Sequence, residues 1–344
     1  VEFGARDGIS DSNTHNLIKN YDYKAVLIEG DKKYFKKLCK NFVSDEIIKL
    51  NKFVDFYGEN SLDFLQYITT NDVSLLKPGK VQYTCFPNNT DGIIDDLLLY
   101  MIEKNKYLLV VNASNIEKDI AWINKHNTFG CNIDNQSNNY SLLAVQGPKS
   151  IQLLEEITNI NLSTIKYYNF KIGNIANIDN VILSRTGYTG EEGFEIYVKN
   201  KDTRKLWDSL FKTSIELKPI GLAARDTLRL EKGFCLYGND INEYTSPIEA
   251  GLGWITKFNK EFINHEKLKS QKKIGTKRKL VGIEIIDKGI ARNGYSIVSS
   301  EGVIKGKITS GTMSPTLKKA IALAYISTDM SKIGTEIFVQ VRNK

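Results

Sequence analysis

The sequence predicts an α+β protein with more than one domain. It has 344 residues, more than one hydrophobic core usually holds, because single cores stop growing at about 250–300 residues. Hydrophobic residues make up 41% of the chain and charged residues 25%, which is typical of a globular protein. The residue pattern changes near positions 62 and 276, so we expect three units: residues 1–62, 63–262 and 276–344.

Residues 1–62 predict an N-terminal α/β fragment of Rossmann-like type. An apolar segment at 1–3 leads into a glycine-bearing turn, and a second apolar segment at 24–28 ends at Glu29. Strand, glycine turn, helix and a second strand with a terminal acid is the order found in nucleotide-binding βαβ units. Because the sequence begins inside the first segment and without methionine, we expect that an upstream part is missing or was trimmed.

Residues 63–262 mix helical and strand-like apolar spacings. Leu62, Leu65 and Ile68 fall on one face of a predicted helix. Asn115 is predicted to cap the N-terminus of a second helix. A third helix is predicted over 222–230, and strands are predicted over 82–86, 92–101 and 107–111.

The last unit, residues 276–344, predicts a small all-β domain, which we expect to be a β-barrel. Its apolar segments are short and separated by glycines, as in barrels and sandwiches. The predicted strands are 280–285, 295–298, 303–308, 320–325 and 336–341.

Cysteine, histidine and charge patterns narrow the function classes. The four cysteines contain no CxxC pair and the three histidines are far apart, so we expect reduced thiols, no metal site and a cytoplasmic setting. No apolar run approaches the roughly 20 residues of a membrane span, and we expect no membrane association. The net charge of +7 is concentrated at 257–279. That stretch could bind an acidic partner, although a solvated face is the favoured interpretation, and no nucleic-acid signature accompanies it.

Two acids, Asp95 and Asp96, interrupt an otherwise apolar predicted strand. Side chains alternate faces along a strand, so at least one of the two carboxylates must meet an apolar environment or a pocket. Burial of an unpaired carboxylate is costly, which favours a paired or functional acid. A solvated acid pair on an edge strand explains the segment equally well.

Glu195 and Arg225 could likewise be functional residues or ordinary surface residues. Glu195 lies beside Tyr197 on one face of a predicted strand, where solvent exposure is the simpler interpretation. Arg225 lies on the predicted helix 222–230, where a guanidinium group could bind a carboxylate or amide of a ligand. Sequence spacing alone does not bring these residues together.

Nine strings of residues resemble one known family in identity and in order. From about Ser61 to its end, the chain resembles the aminomethyltransferase (T-protein) family of the glycine cleavage system. The matching strings are YITTND at 67–72, GIIDD at 92–96, VVNA at 110–113, LAVQGP at 143–148, RTGYTGE at 185–191, GLAARDTLRLE at 221–231, LYGND at 236–240, TSG at 309–311 and PTLKK at 315–319.

The resemblance implies a multi-domain fold around a central folate channel, with a C-terminal β-barrel domain. It implies transfer of an aminomethyl carbon from the lipoyl group of H-protein to tetrahydrofolate, with release of ammonia and no metal. Asp96 is implied as the essential acid. The implied folate-binding residues are Tyr83, Asn112, Tyr168, Tyr188, Glu195 and Arg225.

The N-terminal segment departs from this family. An Asp-Val-Ser-His-Met string expected before Ser61 is absent, and residues 1–62 instead resemble the start of an FkbM-type S-adenosylmethionine-dependent methyltransferase. We therefore interpret the chain as a chimera whose transferase activity the foreign N-terminus impairs. Two alternatives stay open: a folate-dependent demethylase of a small methylated substrate, and an inactive folate-binding chimera.

Overall fold

The computed structural model describes residues 2–3, 27–28 and 51–341. The described helices are α1 (Ser61–Ile68), α2 (Ile116–His126), α3 (Ser150–Glu155), α4 (Thr203–Leu210), α5 (Leu222–Glu231) and α6 (His265–Ile274). The strands are β1 (Glu2–Phe3), β2 (Leu27–Ile28), β3 (Asn51–Tyr57), β4 (Val81–Pro87), β5 (Ile93–Glu103), β6 (Lys106–Asn112), β7 (Asn132–Asn135), β8 (Tyr140–Gln146), β9 (Phe170–Ile175), β10 (Ile178–Ser184), β11 (Gly193–Lys199), β12 (Arg278–Ile285), β13 (Ser296–Val298), β14 (Ile304–Ser314), β15 (Lys319–Ser327) and β16 (Phe338–Gln340). None of the helices in these ranges is long and apolar enough to cross a membrane.

The first large sheet has five antiparallel strands in the order β4-β5-β6-β3-β7. Strand β3 pairs with β6 on one side and with β7 on the other. Because β3 precedes residue 62, this sheet crosses the boundary that the sequence predicted between the first and second units. The hydrophobic pattern of β3 is that of an interior strand, with Val54 and Phe56 fully buried beneath α1 and α2.

The second sheet has four antiparallel strands in the order β8-β11-β10-β9. Its strands bury Leu183, Phe194 and Ile196 against α3 and α4. The opposite face meets the first sheet, where the hydroxyl groups of Tyr100 on β5 and Tyr197 on β11 lie 2.7 Å apart. The two sheets therefore pack face to face, and side chains that point into the layer between them can reach a common site.

The third sheet, in the order β12-β15-β14-β13-β16, confirms the prediction of a small all-β domain after residue 276. The described strands form an open antiparallel sheet, not a closed barrel, since β12 and β16 each pair with a single neighbour. Strand β16, at the free edge opposite β12, has only three residues.

An ion pair without exposed surface joins this sheet to the rest of the chain. Arg229 on α5 contacts Asp240 at 2.5 Å, and both side chains are at most 1% exposed. Arg229 also donates to the hydroxyl of Ser310 on β14 at 2.8 Å, and Ser310 donates to Asp240 at 2.7 Å. Buried charges require such partners, so this cluster fixes α5 against the third sheet.

Of the predicted N-terminal α/β fragment, the structure describes two short strands. Strands β1 and β2 pair in parallel, with Glu2 opposite Leu27 and Phe3 opposite Ile28. A parallel pair is the arrangement that a βαβ unit requires. The predicted glycine turn, the helix and Glu29 lie outside the described residues.

Candidate functional site

Asp95 and Asp96 lie on β5, an interior strand between β4 and β6. Asp95 faces the helix-covered side and is 0% exposed. Asp96 faces the opposite side, toward the layer shared with the second sheet, and is partly buried. The prediction that at least one carboxylate meets an apolar environment is confirmed, and the alternative of a solvated edge strand is wrong.

Asp96 is held by neutral hydrogen-bond donors. The hydroxyl of Tyr83 donates to Asp96 Oδ2 at 2.9 Å, and the amide of Asn112 donates to Oδ1 at 3.0 Å. Burial, and next the charge of Asp95, raise the pKa of Asp96 to about 7, although these two hydrogen bonds oppose the shift. At neutral pH this acid is therefore divided between its protonated and ionised forms, which suits a group that accepts and returns protons.

Asp95 is held from behind by two asparagines. The backbone N–H and the side-chain amide of Asn112 donate to it at 3.1 and 2.9 Å, and the Asn115 amide donates at 2.6 Å. Asn115 is the N-cap residue of α2, as predicted, but its side chain turns to the buried carboxylate of Asp95 and makes no capping hydrogen bond.

Glu195 lies on β11, an interior strand, and is 5% exposed, so the solvent-exposed interpretation is wrong. Thr186 donates to Glu195 Oε2 at 2.5 Å, and the hydroxyl of Tyr197 donates to it at 3.3 Å. Burial raises the pKa of Glu195, while Thr186 and the positive charge of Arg225 counter the shift. A hydrogen-bond acceptor is thus fixed inside the protein.

Arg225 lies on α5, with its guanidinium group 4.5 Å from the centre of the Tyr188 ring. The hydroxyl of Tyr188 donates to the carbonyl of Cys235, and its ring stacks on Phe234. Burial raises the pKa of Tyr188 above its ordinary value, and nearby charges that include Asp96 and Arg225 modify the shift. The aromatic face of Tyr188 therefore lies within electrostatic range of Asp96, and the guanidinium group of Arg225 lies against this face.

Tyr168 completes the set of predicted residues. It has a φ of +59°, an uncommon conformation for a residue with a side chain, and its backbone N–H donates to the carbonyl of Arg185. Burial, followed by several charges that include Glu195 and Asp96, raises its pKa. Of the other six predicted site residues, Tyr83 and Asn112 contact Asp96 directly, and the charge of Asp96 acts on Tyr168 and Tyr188. Arg225 lies against the ring of Tyr188, and its charge acts on Glu195. Their roles stay predictions.

Sequence reasoning missed the residues behind this set. Asn115, the residue before α2, and Asp119 on α2 are four positions apart, a spacing that puts both on one helix face, and this spacing could have pointed to the contact with Asp95. Thr186, which contacts Glu195, carries no comparable signal.

Other polar clusters and cavities lie apart from the set around Asp96. Ligand atoms of Glu261, His265 and Glu266 lie within 4.8 Å of one another, but both glutamates are exposed. Two open surface cavities of about 420 and 400 Å³ are lined by none of the seven predicted residues.

The sequence of the chain matches two family models. One is described as the GCVT N-terminal domain and covers residues 46–260, and the other is described as the glycine cleavage T-protein C-terminal barrel domain and covers residues 278–344. The first match starts earlier than the predicted start near Ser61 and includes β3, in agreement with the place of β3 in the first sheet.

Curated relatives and a solved structure agree with these matches. The aminomethyltransferase of Bacteroides fragilis (strain YCH46) is 57% identical over 291 residues, which cover 83% of this chain and 81% of that protein. The aminomethyltransferase of Flavobacterium psychrophilum is 53% identical over 287 residues, 83% of this chain and 80% of that protein. The crystal structure of glycine cleavage system aminomethyltransferase T from Bartonella henselae superposes with a TM-score of 0.79 at 32% identity, covering 86% of this chain and 81% of that one.

A three-sheet α+β fold with a buried acid on an interior strand, combined with these matches, defines an enzyme that transfers a one-carbon group. The chain belongs to the aminomethyltransferase (T-protein) family of the glycine cleavage system.

The raised pKa of Asp96 predicts that this acid lowers the stability of the fold above neutral pH. The unfolded group has an ordinary pKa of 3.8 and the folded group about 7, so stability is lost as pH rises from about 4 through 7. Because the site is partly open to solvent, we expect a discounted effect: between pH 5 and pH 8, Asp96→Asn should gain about 1–2 kcal/mol relative to the parent. Urea unfolding at both pH values measures this difference.

Asp63→Asn, at an exposed position on α1, is the matched control and should show no such gain. If the Asp96→Asn difference is the same at pH 5 and pH 8, Asp96 titrates as an ordinary acid in the folded protein.

Proposed function

We propose that this enzyme moves the aminomethyl carbon from a lipoyl group carried by H-protein to tetrahydrofolate and releases ammonia, in the cytoplasm and without a metal. The observation that carries the proposal is Asp96, a titratable acid held by neutral donors in the layer where the first two sheets meet. Family membership supplies the aminomethyl transfer itself, and the site residues support the choice of acceptor.

The residues around Asp96 fit a folate. A pterin ring has a flat face and an edge of N–H donors, and Glu195 offers a buried acceptor for such an edge. Tyr188 offers a ring face, and the Arg225 guanidinium beside it suits carboxylate and amide groups of the folate tail. Tyr83, Asn112 and Tyr168 complete the proposed contacts. Tetrahydrofolate would supply the nucleophilic nitrogens that accept the carbon.

Asp96 is proposed to handle the proton of the reaction. Its ionised form can take a proton from an attacking amine and can stabilise positive charge that develops on the transferred carbon. Its protonated form can return the proton to the departing nitrogen, which leaves as ammonia, and the carbon–sulfur bond breaks to leave a free thiol on the lipoyl carrier. A pKa near 7 keeps both forms populated, while Tyr83 and Asn112 fix the orientation of the carboxyl group.

A folate-dependent demethylase of a small methylated substrate is the second candidate function, since the same set of residues around Asp96 could orient a folate for it. The two functions differ in one requirement: a demethylase needs no lipoyl carrier. Family membership favours the carrier-dependent reaction.

We predict that transfer requires both the lipoylated carrier and the carboxyl group of Asp96. Single-turnover assays should show carbon transfer from aminomethylated H-protein to tetrahydrofolate, and Asp96→Asn should lose at least about a hundredfold in rate, the range of a lost general acid–base group. Folate affinity should change little, because the asparagine keeps the shape of the side chain. Transfer within a factor of two of the parent would remove Asp96 from the mechanism, and turnover without any carrier would favour the demethylase.

We predict that Glu195→Gln and Arg225→Ala weaken folate binding more than they slow transfer. Loss of one partner of a charge-assisted contact costs about 1.5–3 kcal/mol, which is roughly tenfold to a hundredfold in affinity. Calorimetric titration with tetrahydrofolate measures the dissociation constants. Lys232→Ala, a change at an exposed position just beyond α5, is the control. Unchanged dissociation constants in both site variants would refute the proposed folate contacts.

We also propose that the residues before the family match at residue 46 are a foreign, FkbM-like segment that impairs folate binding, and that the domains divide near residue 262 and residue 276. Replacement of residues 1–45 by the corresponding T-protein segment, with β3 left in place, should raise folate affinity because it restores groups expected to line the pocket. Calorimetry on both proteins measures the change. Equal affinities would mean that the present segment is an adequate substitute.

A further inference from the structure

Asp119 is a buried acid on α2 whose carboxyl group lacks a donor. It is 0% exposed, and among the described residues no N–H or O–H group donates to either of its oxygens. Its side-chain partner is the carboxyl group of Asp95, which is also 0% exposed. Two carboxyl groups can share a hydrogen bond only if one is protonated. One of the two carboxyl groups is therefore expected to be protonated, because two adjacent buried negative charges are too costly.

The neighbours of the pair decide which acid carries the proton. Asp95 accepts three N–H hydrogen bonds from Asn112 and Asn115, and such bonds favour the ionised form. Asp119 accepts none of this kind. Burial, and next the charge of Asp95, raise the pKa of Asp119 to about 10. Burial also raises the pKa of Asp95, but the hydrogen bonds from Asp119 and the asparagines oppose the shift.

Charged groups on the neighbouring elements do not replace this proton. Lys118 favours ionisation of Asp119, yet its ammonium group binds the Tyr237 hydroxyl at 2.7 Å and lies 3.4 Å from Glu243. The hydroxyl of Tyr237 in turn donates to the carbonyl of Ile93 on β5. Asp96, on the other face of β5, adds a further negative charge that opposes ionisation of Asp119.

The pair is coupled to the proposed catalytic acid. One side-chain amide, that of Asn112, donates to Asp95 at 2.9 Å and to Asp96 at 3.0 Å. The charge of Asp95 is the second cause, after burial, of the raised pKa of Asp96. If Asp95 took up a proton, Asp96 would lose this repulsion and would ionise at lower pH.

We propose that Asp119 is a positioning residue for the transfer reaction: its protonated carboxyl group donates to Asp95, keeps Asp95 ionised, and thereby holds Asp96 ready to exchange a proton near neutral pH. This proposal rests on the proposed role of Asp96 and adds Asp95 and Asp119 as acids that act through it. Asp119 itself touches no reacting group.

The pH dependence of kcat/KM tests the coupling. Asp119→Asn keeps a neutral donor toward Asp95, so its acidic limb should stay where the parent has it. Asp119→Ala removes the donor, and the shared proton should pass to Asp95. The acidic limb, which follows Asp96, should then move down by about 1 pH unit. Glu117→Gln removes an exposed carboxylate from the same first turn of α2 and should leave the limb in place. An Asp119→Ala limb at the parent position would overturn the proposal.

Infrared spectroscopy gives a measurement that needs no activity and no Asp119→Ala protein. At pH 8, above the pKa of Asp96 and below that of Asp119, the parent should show the C=O stretch of a protonated carboxylic acid that Asp119→Asn lacks. If the difference spectrum contains no such band, Asp119 is ionised and the proposal fails. If the band is present but Asp96→Asn remains active, the proposed function fails instead, and with it the positioning role, while the protonated Asp119 stands.

Discussion

The ion pair of Arg229 and Asp240 lies where three parts of the chain meet, with neither side chain more than 1% exposed. Arg229 belongs to α5, the helix that carries Arg225. Asp240 closes the loop that begins at Cys235 and accepts the backbone N–H of Leu236. Ser310 of the third sheet binds both charges. Loss of one partner from such a pair typically costs about 3–5 kcal/mol, because the other charge stays buried. The orientation of α5, and with it the position of Arg225, therefore depends on this contact.

The three acids of the site, unlike Asp240, have no cationic partner in direct contact among the described residues. Asp95, Asp96 and Glu195 are held by amide and hydroxyl donors, with no direct ion pair to any of the three among the described contacts. Neutral donors orient a carboxyl group without the large drop in pKa that an adjacent guanidinium produces. Asp96 consequently stays titratable near neutral pH, whereas Asp240 is locked to Arg229. The burial of carboxyl groups without cationic partners lowers the stability of the fold, a cost that functional sites often carry.

Strand β3 shows how the family fold begins. It lies between β6 and β7 in the first sheet, and the family match starts at residue 46. Its sequence, NKFVDFY, buries Phe53 on one face of the sheet and Val54 and Phe56 on the other, as an interior strand does. The predicted boundary near residue 62 followed the motif strings, which start later than the sheet. A strand can complete a sheet by backbone pairing without containing any of the family strings. For this reason the strings placed the start of the family region later in the chain than the family match does.

The sequence by itself determined the local elements and, through the family strings, the choice of proposed site residues. The helix predicted over 222–230 is observed as Leu222–Glu231, and the strand predicted over 92–101 is observed as Ile93–Glu103. Helical and strand periodicities are local, so a single segment reveals them. Burial of Glu195, the turn of Asn115 toward Asp95 and the open edge of the third sheet were decided by the tertiary structure. Each depends on which strand or helix lies alongside, and pairings between distant segments leave no trace in the spacing of one of them.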